Sequence, residues 1–153
     1  MLKPRKILFL LSDGGRARLV RRSPESGDFV TIEELDHSHS LKGSRGESPA
    51  GPAPKTVSTH APHRHSVGRQ DFLRQAKADF AAEAARLAKG VMRSQGLDEI
   101  FLAAPPRMIG LLRQQFDVAA PVAGTLGKDL TKVPNHSLHE WLDQALFAVR
   151  AAD

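Results

Sequence analysis

Cysteine and tyrosine are both absent from the 153 residues of this chain. Without cysteine there is no disulfide, no thiolate nucleophile and no cysteine-ligated zinc. Aromatic residues make up only 5%, so a broad platform for stacking successive bases is not expected. Long apolar runs are missing too. The run Ile7 to Leu11 follows a basic start, as in a signal peptide, but Ser12-Asp13-Gly14-Gly15 cuts it short. No small-residue cleavage site follows. Nothing approaches the roughly 20 apolar residues of a membrane-spanning helix. These absences favour a cytoplasmic location. There is no dinucleotide-binding GxGxxG, no phosphate-binding P-loop and no Ser or Cys in an elbow-like context, so no cofactor is expected.

Acids are scarce in one place. Residues 37–70 carry Lys42, Arg45, Lys55, Arg64 and Arg69 against a single acid, Glu47. Their large apolar residues are only Leu41, Val57 and Val67, and five of the seven histidines lie there. Four prolines and four glycines break up any periodicity. Such a stretch buries too little apolar surface to offset its ordering entropy. Within a compact domain it reads as a long, flexible basic loop. The whole chain carries a formal charge of +5 and a pI near 10.0, a balance that suits a polyanionic partner.

The flanks look folded. With 41% hydrophobic residues, residues 1–153 can form one domain with a real core. Lys6 to Leu11 reads as a buried central strand. Asp13-Gly14-Gly15 reads as a tight turn whose glycines take positive φ. Arg16 to Arg22 alternates, which predicts an antiparallel strand with Ala17 and Leu19 inward and a wet, basic face carrying Arg16 and Arg18. Ser23 to Asp28 is a second turn, and Phe29 to Leu35 a third strand, at an edge. Beyond the basic loop, Phe72, Ala76, Phe80, Ala84, Leu87 and Val91 recur at helical spacing, predicting a helix from Asp71 to about Ser94 that Gly96 ends. Glu99 to Ala104 is a fourth strand. Pro105-Pro106 opens a short helix with Met108, Ile109, Leu112 and Phe116 inward. Val118 to Leu126 holds a fifth, weaker strand, interrupted by Pro121 and Gly124. Ser137-Leu138-His139-Glu140 fits a capping box for a final helix. The expected fold is therefore α/β: a ribonuclease-H-like mixed five-stranded sheet. A three-strand antiparallel meander is joined to two parallel strands, with helices on both faces.

Two sets of residues suggest chemistry. Asp13 and Asp129 sit at strand ends, where carboxylates can hold Mg²⁺ for phosphodiester hydrolysis. That mechanism needs a third or fourth acid, and Asp98 and Glu99 stand at the opposite end of their strand. Asp13 also has a plain role as a turn residue. His60, His63 and His65 match no zinc spacing, so no metal site is expected. The second set is basic: Arg16 and Arg18 on the second strand, with Arg45, Arg64 and Arg69 in the loop, can contact RNA phosphates.

The order of short motifs resembles a known family. Leu11-Ser12-Asp13-Gly14-Gly15-Arg16-Ala17-Arg18-Leu19 is similar to the opening of the bacterial host attachment proteins. Phe80-Ala81, Ala84 and Leu87, then Leu102-Ala103-Ala104-Pro105-Pro106, Gly110-Leu111-Leu112-Arg113, and Lys128-Asp129-Leu130-Thr131 with Pro134, follow in the same order. The resemblance covers nearly the whole chain. That family is in turn similar to the central domain of archaeal and eukaryotic peptide-chain release factors and their ribosome-rescue relatives, which implies the same fold. In release factors the loop before the major helix carries Gly-Gly-Gln. Here Gly68-Arg69-Gln70 stands at the comparable place, with arginine for the middle glycine. The resemblance implies an RNA- or ribosome-binding factor without catalytic activity. The alternatives are a hydrolase, either a Mg²⁺-dependent nuclease using Asp13 and Asp129 or a peptidyl-tRNA hydrolase using Gln70, and a protein-interaction module.

Overall fold

The computed structural model describes residues 5–38 and 62–152, with the side chains of 62–67, 69 and 150–152 excepted. Five strands form one sheet: β1 (Ile7–Ser12), β2 (Arg16–Arg22), β3 (Phe29–Asp36), β4 (Glu99–Ala103) and β5 (Val122–Leu126). Their spatial order is β3-β2-β1-β4-β5. The first three form an antiparallel meander, and β4 and β5 run parallel to β1. This is the ribonuclease-H-like arrangement expected from the sequence. Three α-helices lie among the described residues: α1 (Pro62–Gln95), α2 (Pro106–Arg113) and α3 (His139–Ala152).

Both faces of the sheet are covered. On one, Leu8, Leu10, Leu19, Ile100 and Leu102 pack against Phe80, Ala84, Ala88 and Val91 of α1 and Met108 and Leu112 of α2. The alanines let α1 approach closely. On the other, Ile7, Phe9, Leu11, Val20, Phe29 and Phe101 pack against Leu130, Leu138 and Leu142. Phe9 meets Phe29 edge-on, with ring centroids 5.3 Å apart, the geometry favoured by aromatic quadrupoles. The exposed basic face expected for β2 is thus overturned at Arg18, while Arg16 stays partly exposed. Residues 17–20 are buried on both sides, Arg18 at 9% exposure. Alternation revealed the two faces of the strand but not what lies over each of them.

Local geometry departs from expectation at four places. The turn at 13–15 is held by the Asp13 carboxylate, which accepts from the backbone N–H of Gly15 (2.8 Å) and Arg16 (2.6 Å). Its glycines do not take positive φ; among the described residues Gly27 (+78°) and Gly96 (+63°) do. A bulge interrupts the β2–β3 ladder, where Leu19 pairs with Glu33 but Val20 with Thr31. The extra residue is Ile32. It explains how Ile32 and Leu35, three apart, reach the same core. Gly124 fits in β5 because a Cβ there would lie 2.7 Å from Val149 Cγ2 and 3.1 Å from the Phe101 ring. Finally, Asn135–Ser137 form a 3₁₀ turn, so α3 starts at His139, one residue later than the capping-box pattern predicts.

The largest correction concerns α1. It begins at Pro62, nine residues before Asp71, so Gly68, Arg69 and Gln70 lie inside a helix. The remainder of the basic stretch expected to be flexible, 39–61, lies outside the described residues. Helix α1 runs antiparallel to β1. Its carboxyl end meets the start of β4, where Leu97 N–H donates to Met92 O at 2.9 Å. Near the other edge of the sheet, His37 lies edge-on to Phe80, with ring centroids 5.4 Å apart.

Candidate nucleic-acid interface

The carboxyl ends of β1, β4 and β5 share one edge of the sheet, the edge where open α/β sheets usually bind ligands. Arg16 opens β2 there and is partly exposed. Its Nε lies 3.7 Å from Asp36 Oδ2 across the strand pair. His37, the first residue of the basic stretch, lies at the same edge, its N–H donating to Gly15 O at 2.7 Å. Lys77 of α1 reaches this turn as well: its Cε would lie 3.5 Å from a Cβ on Gly14. Arg107 stands in the first turn of α2, directly after β4, and Lys128 follows β5 with its ammonium 3.6 Å from the Trp141 ring centroid.

Helix α1 overhangs this edge. Among its described side chains, none before Phe80 is buried. The stretch from Pro62 to Lys77 is about 16 residues, or roughly 24 Å of helix at 1.5 Å per residue. It carries Arg64, Arg69 and Arg74, and Phe72 is 56% exposed. Only Asp71 opposes these charges before Lys77. The arginines of the basic stretch are therefore carried in part on a helix continuous with the core, where the sequence pattern predicted a loop. Arg45 and the side chains of Arg64 and Arg69 lie outside what the structure describes.

Arg18 takes a different part. Its guanidinium faces the segment between β5 and α3. Nε donates to Thr31 Oγ1 (3.2 Å), and Nη1 to the carbonyls of Val133 (2.7 Å), Thr131 (3.1 Å) and Leu130 (3.4 Å). Nη2 donates to Asn135 Oδ1, which also accepts from Thr31 Oγ1 at 3.1 Å. Burial pushes the Arg18 guanidinium below the usual arginine value, while the charge of Glu34 acts the other way. Arginine remains protonated in proteins, so this is a buried cation satisfied by protein oxygens. Its donors are committed, and it is withdrawn from the set offered to phosphates.

The acids are similarly occupied. Asp13 holds its own turn, and Asp129 Oδ1 accepts from Thr131 N–H (2.9 Å) and Oγ1 (2.6 Å). Asp98 and Glu99 stand at the amino end of β4, as expected; Asp98 accepts from Lys6 N–H (3.0 Å) and Glu99 pairs with Arg5. Among the described residues no three His, Asp or Glu are grouped to hold a metal. Gln70 is exposed on the overhanging helix. Lys77, Arg107 and Lys128 were not legible as edge cations, because only the crossovers bring them there. No helix among the described residues is long and apolar enough to cross a membrane.

Residues 8–142 match the family model described as "protein required for attachment to host cells". No curated protein matches the chain. The matched span starts within β1 and ends within α3, so it takes in all of the sheet but Ile7, the edge described above and the Arg18 anchor.

Proposed function

Because this chain belongs to the host attachment family, we propose that it acts as an RNA- or ribosome-binding factor without catalytic activity, akin to translation release and rescue factors, in the cytoplasm. One observation carries the reading. A helix bearing Arg64, Arg69 and Arg74 overhangs the sheet edge that also presents Arg16 and Lys77. Cations spaced along a rod suit the regular charges of a phosphate backbone, and they bind it by releasing counterions. The basic segment 39–61 adds Lys42, Arg45 and Lys55 to the charge between this edge and the helix. The contacting set is Arg16, Arg45, Arg64 and Arg69. Arg18 is left out because its donors are taken.

The kinship with release factors, proposed here from the sequence resemblance alone, would favour RNA as partner but not peptide release. Glycine at the middle of a Gly-Gly-Gln supplies backbone freedom that arginine lacks, and Gly68-Arg69-Gln70 is helical here. Sucrose-gradient fractionation of lysate at low and high salt tests the proposal. The protein is expected to travel with ribosomes or RNA at low salt and to leave them at high salt or after nuclease treatment. A protein that stays at the top of every gradient overturns it.

A further inference from the structure

A second feature lies at the opposite edge, beside the amino ends of β1 and β4. A groove of about 570 Å³ opens between the start of β1, the end of β2 and α3. That size lies within the range of small-molecule sites, roughly 300–1,000 Å³. Its floor is apolar, formed by Ile7, Phe9, Leu97 and Leu146. Phe147 stands at its margin with 74% of its surface exposed.

Four cations line the same groove: Arg5, Lys6, Arg21 and Arg22. Two are matched by acids. Arg5 pairs with Glu99, and Arg22 pairs with Asp143 while its guanidinium carbon lies 4.5 Å above the Phe29 ring. Lys6 and Arg21 have no acidic partner among the described residues. Arg21 Nη1 donates to the neutral Gln95 Oε1 at 2.9 Å and Nε to Arg22 O at 3.2 Å, which orients the guanidinium without neutralising it and leaves Nη2 uncommitted among the described residues. The groove thus combines an apolar floor, an open ring and two uncompensated positive charges.

We infer that this groove binds a phosphate monoester carrying a flat ring, the chemistry of a nucleoside monophosphate. Two positive charges match a phosphate dianion, and a guanidinium fork engages its oxygens in pairs. The ring system lies against Phe147 and the apolar floor. Arg5 and Arg22, held by their acids, shape the walls. The ligand is either a free nucleotide or the 5′-phosphorylated end of an RNA strand. The site lies at the sheet edge opposite the overhanging helix, so it stands whether or not that helix binds RNA.

Calorimetric titration of the full chain with AMP tests this. Saturable binding is expected. Adenosine, which lacks the phosphate, and ribose 5-phosphate, which lacks the ring, are each expected to bind about tenfold more weakly. Lys6→Ala and Arg21→Ala should each weaken AMP by about tenfold, the scale of one charge-assisted contact. Phe147→Ala should also weaken it, and Arg16→Ala at the far edge should not. Binding should tighten from pH 5 to 7.5 as the second phosphate proton, pKa about 6, is lost. A 5′-phosphorylated RNA hexamer that outcompetes AMP assigns the site to strand ends; equal affinity assigns it to free nucleotide. Absence of AMP binding by folded protein overturns the inference, as does an Arg21→Ala protein, folded by circular dichroism, that binds AMP as the wild type does. Equal affinity for ribose 5-phosphate removes the ring contact and overturns it too.

Discussion

The two faces of the sheet are closed by different means. On one, α1 and α2 lay apolar side chains over Leu8, Leu10 and Ile100, and helices need no help with their own carbonyls. On the other, α3 covers only part of the surface. Irregular residues 130–135 cover the rest, and an irregular segment leaves some carbonyls, here those of Thr131 and Val133, without a partner of its own. Arg18 supplies the donors: one buried guanidinium serves Leu130, Thr131, Val133 and Asn135. A charge was put where a leucine would suit the core, because the covering segment needed hydrogen bonds more than it needed apolar contact. The same residue type two positions earlier, Arg16, is partly exposed and meets Asp36 across the strand pair.

The comparison predicts unequal responses to mutation. The largest effect is expected at Arg18. Arg18→Ala leaves the part-buried carbonyls of Thr131 and Val133 without donors and should cost about 3 kcal/mol or more, since each hydrogen bond to a charged group contributes about 1.5–3 kcal/mol. Urea unfolding measures this. Arg18→Lys should recover only a fraction, because an ammonium lacks the planar fork. In native-state hydrogen exchange of Arg18→Ala, amides in 130–138 should lose protection before those of α1 do. Equal loss on both faces would break the distinction between them.

Leu10→Ala, on the helix-covered face, should cost about 2–5 kcal/mol through a cavity. Its exchange pattern should be the reverse, with α1 loosened first. Gly124→Ala comes next, at about 1–3 kcal/mol from overpacking against Val149 and Phe101. Adding Val149→Ala should return part of that loss, a coupling that a double-mutant cycle reads. The smallest effect belongs to Arg16→Ala, under about 0.5 kcal/mol in stability, as for most exposed positions. Its consequence should appear in RNA affinity, where the salt slope falls by about one unit per phosphate contact removed.

Much of this fold is legible from pattern. Ile7 to Leu11 reads as a central strand because it is apolar on both faces. Pro105-Pro106 marks the step from β4 into α2, and Gly96 ends α1 with a positive φ, as expected of a helix terminator. The failures share one cause. Arg16 and Arg18 look equivalent by alternation, yet one is exposed and the other buried. Pro62 to Gln70 looks like loop from its Pro, Gly and His content, yet it continues α1, since proline is tolerated in a first helical turn. The groove residues Arg5 and Lys6 resemble the basic start of a leader segment. Nothing local connects them to Arg21 or Phe147.

The order of the elements, the pairing of the meander and the excess of cations followed from the residues themselves, because turn chemistry, hydrophobic periodicity and charge are local properties. Which arginine is buried, which end of the sheet gathers Arg16, Lys77 and Lys128, and where an open phenylalanine meets uncompensated cations were decided by tertiary packing. Those pairs lie tens of residues apart, and only the crossovers and the irregular cover of one sheet face bring them together.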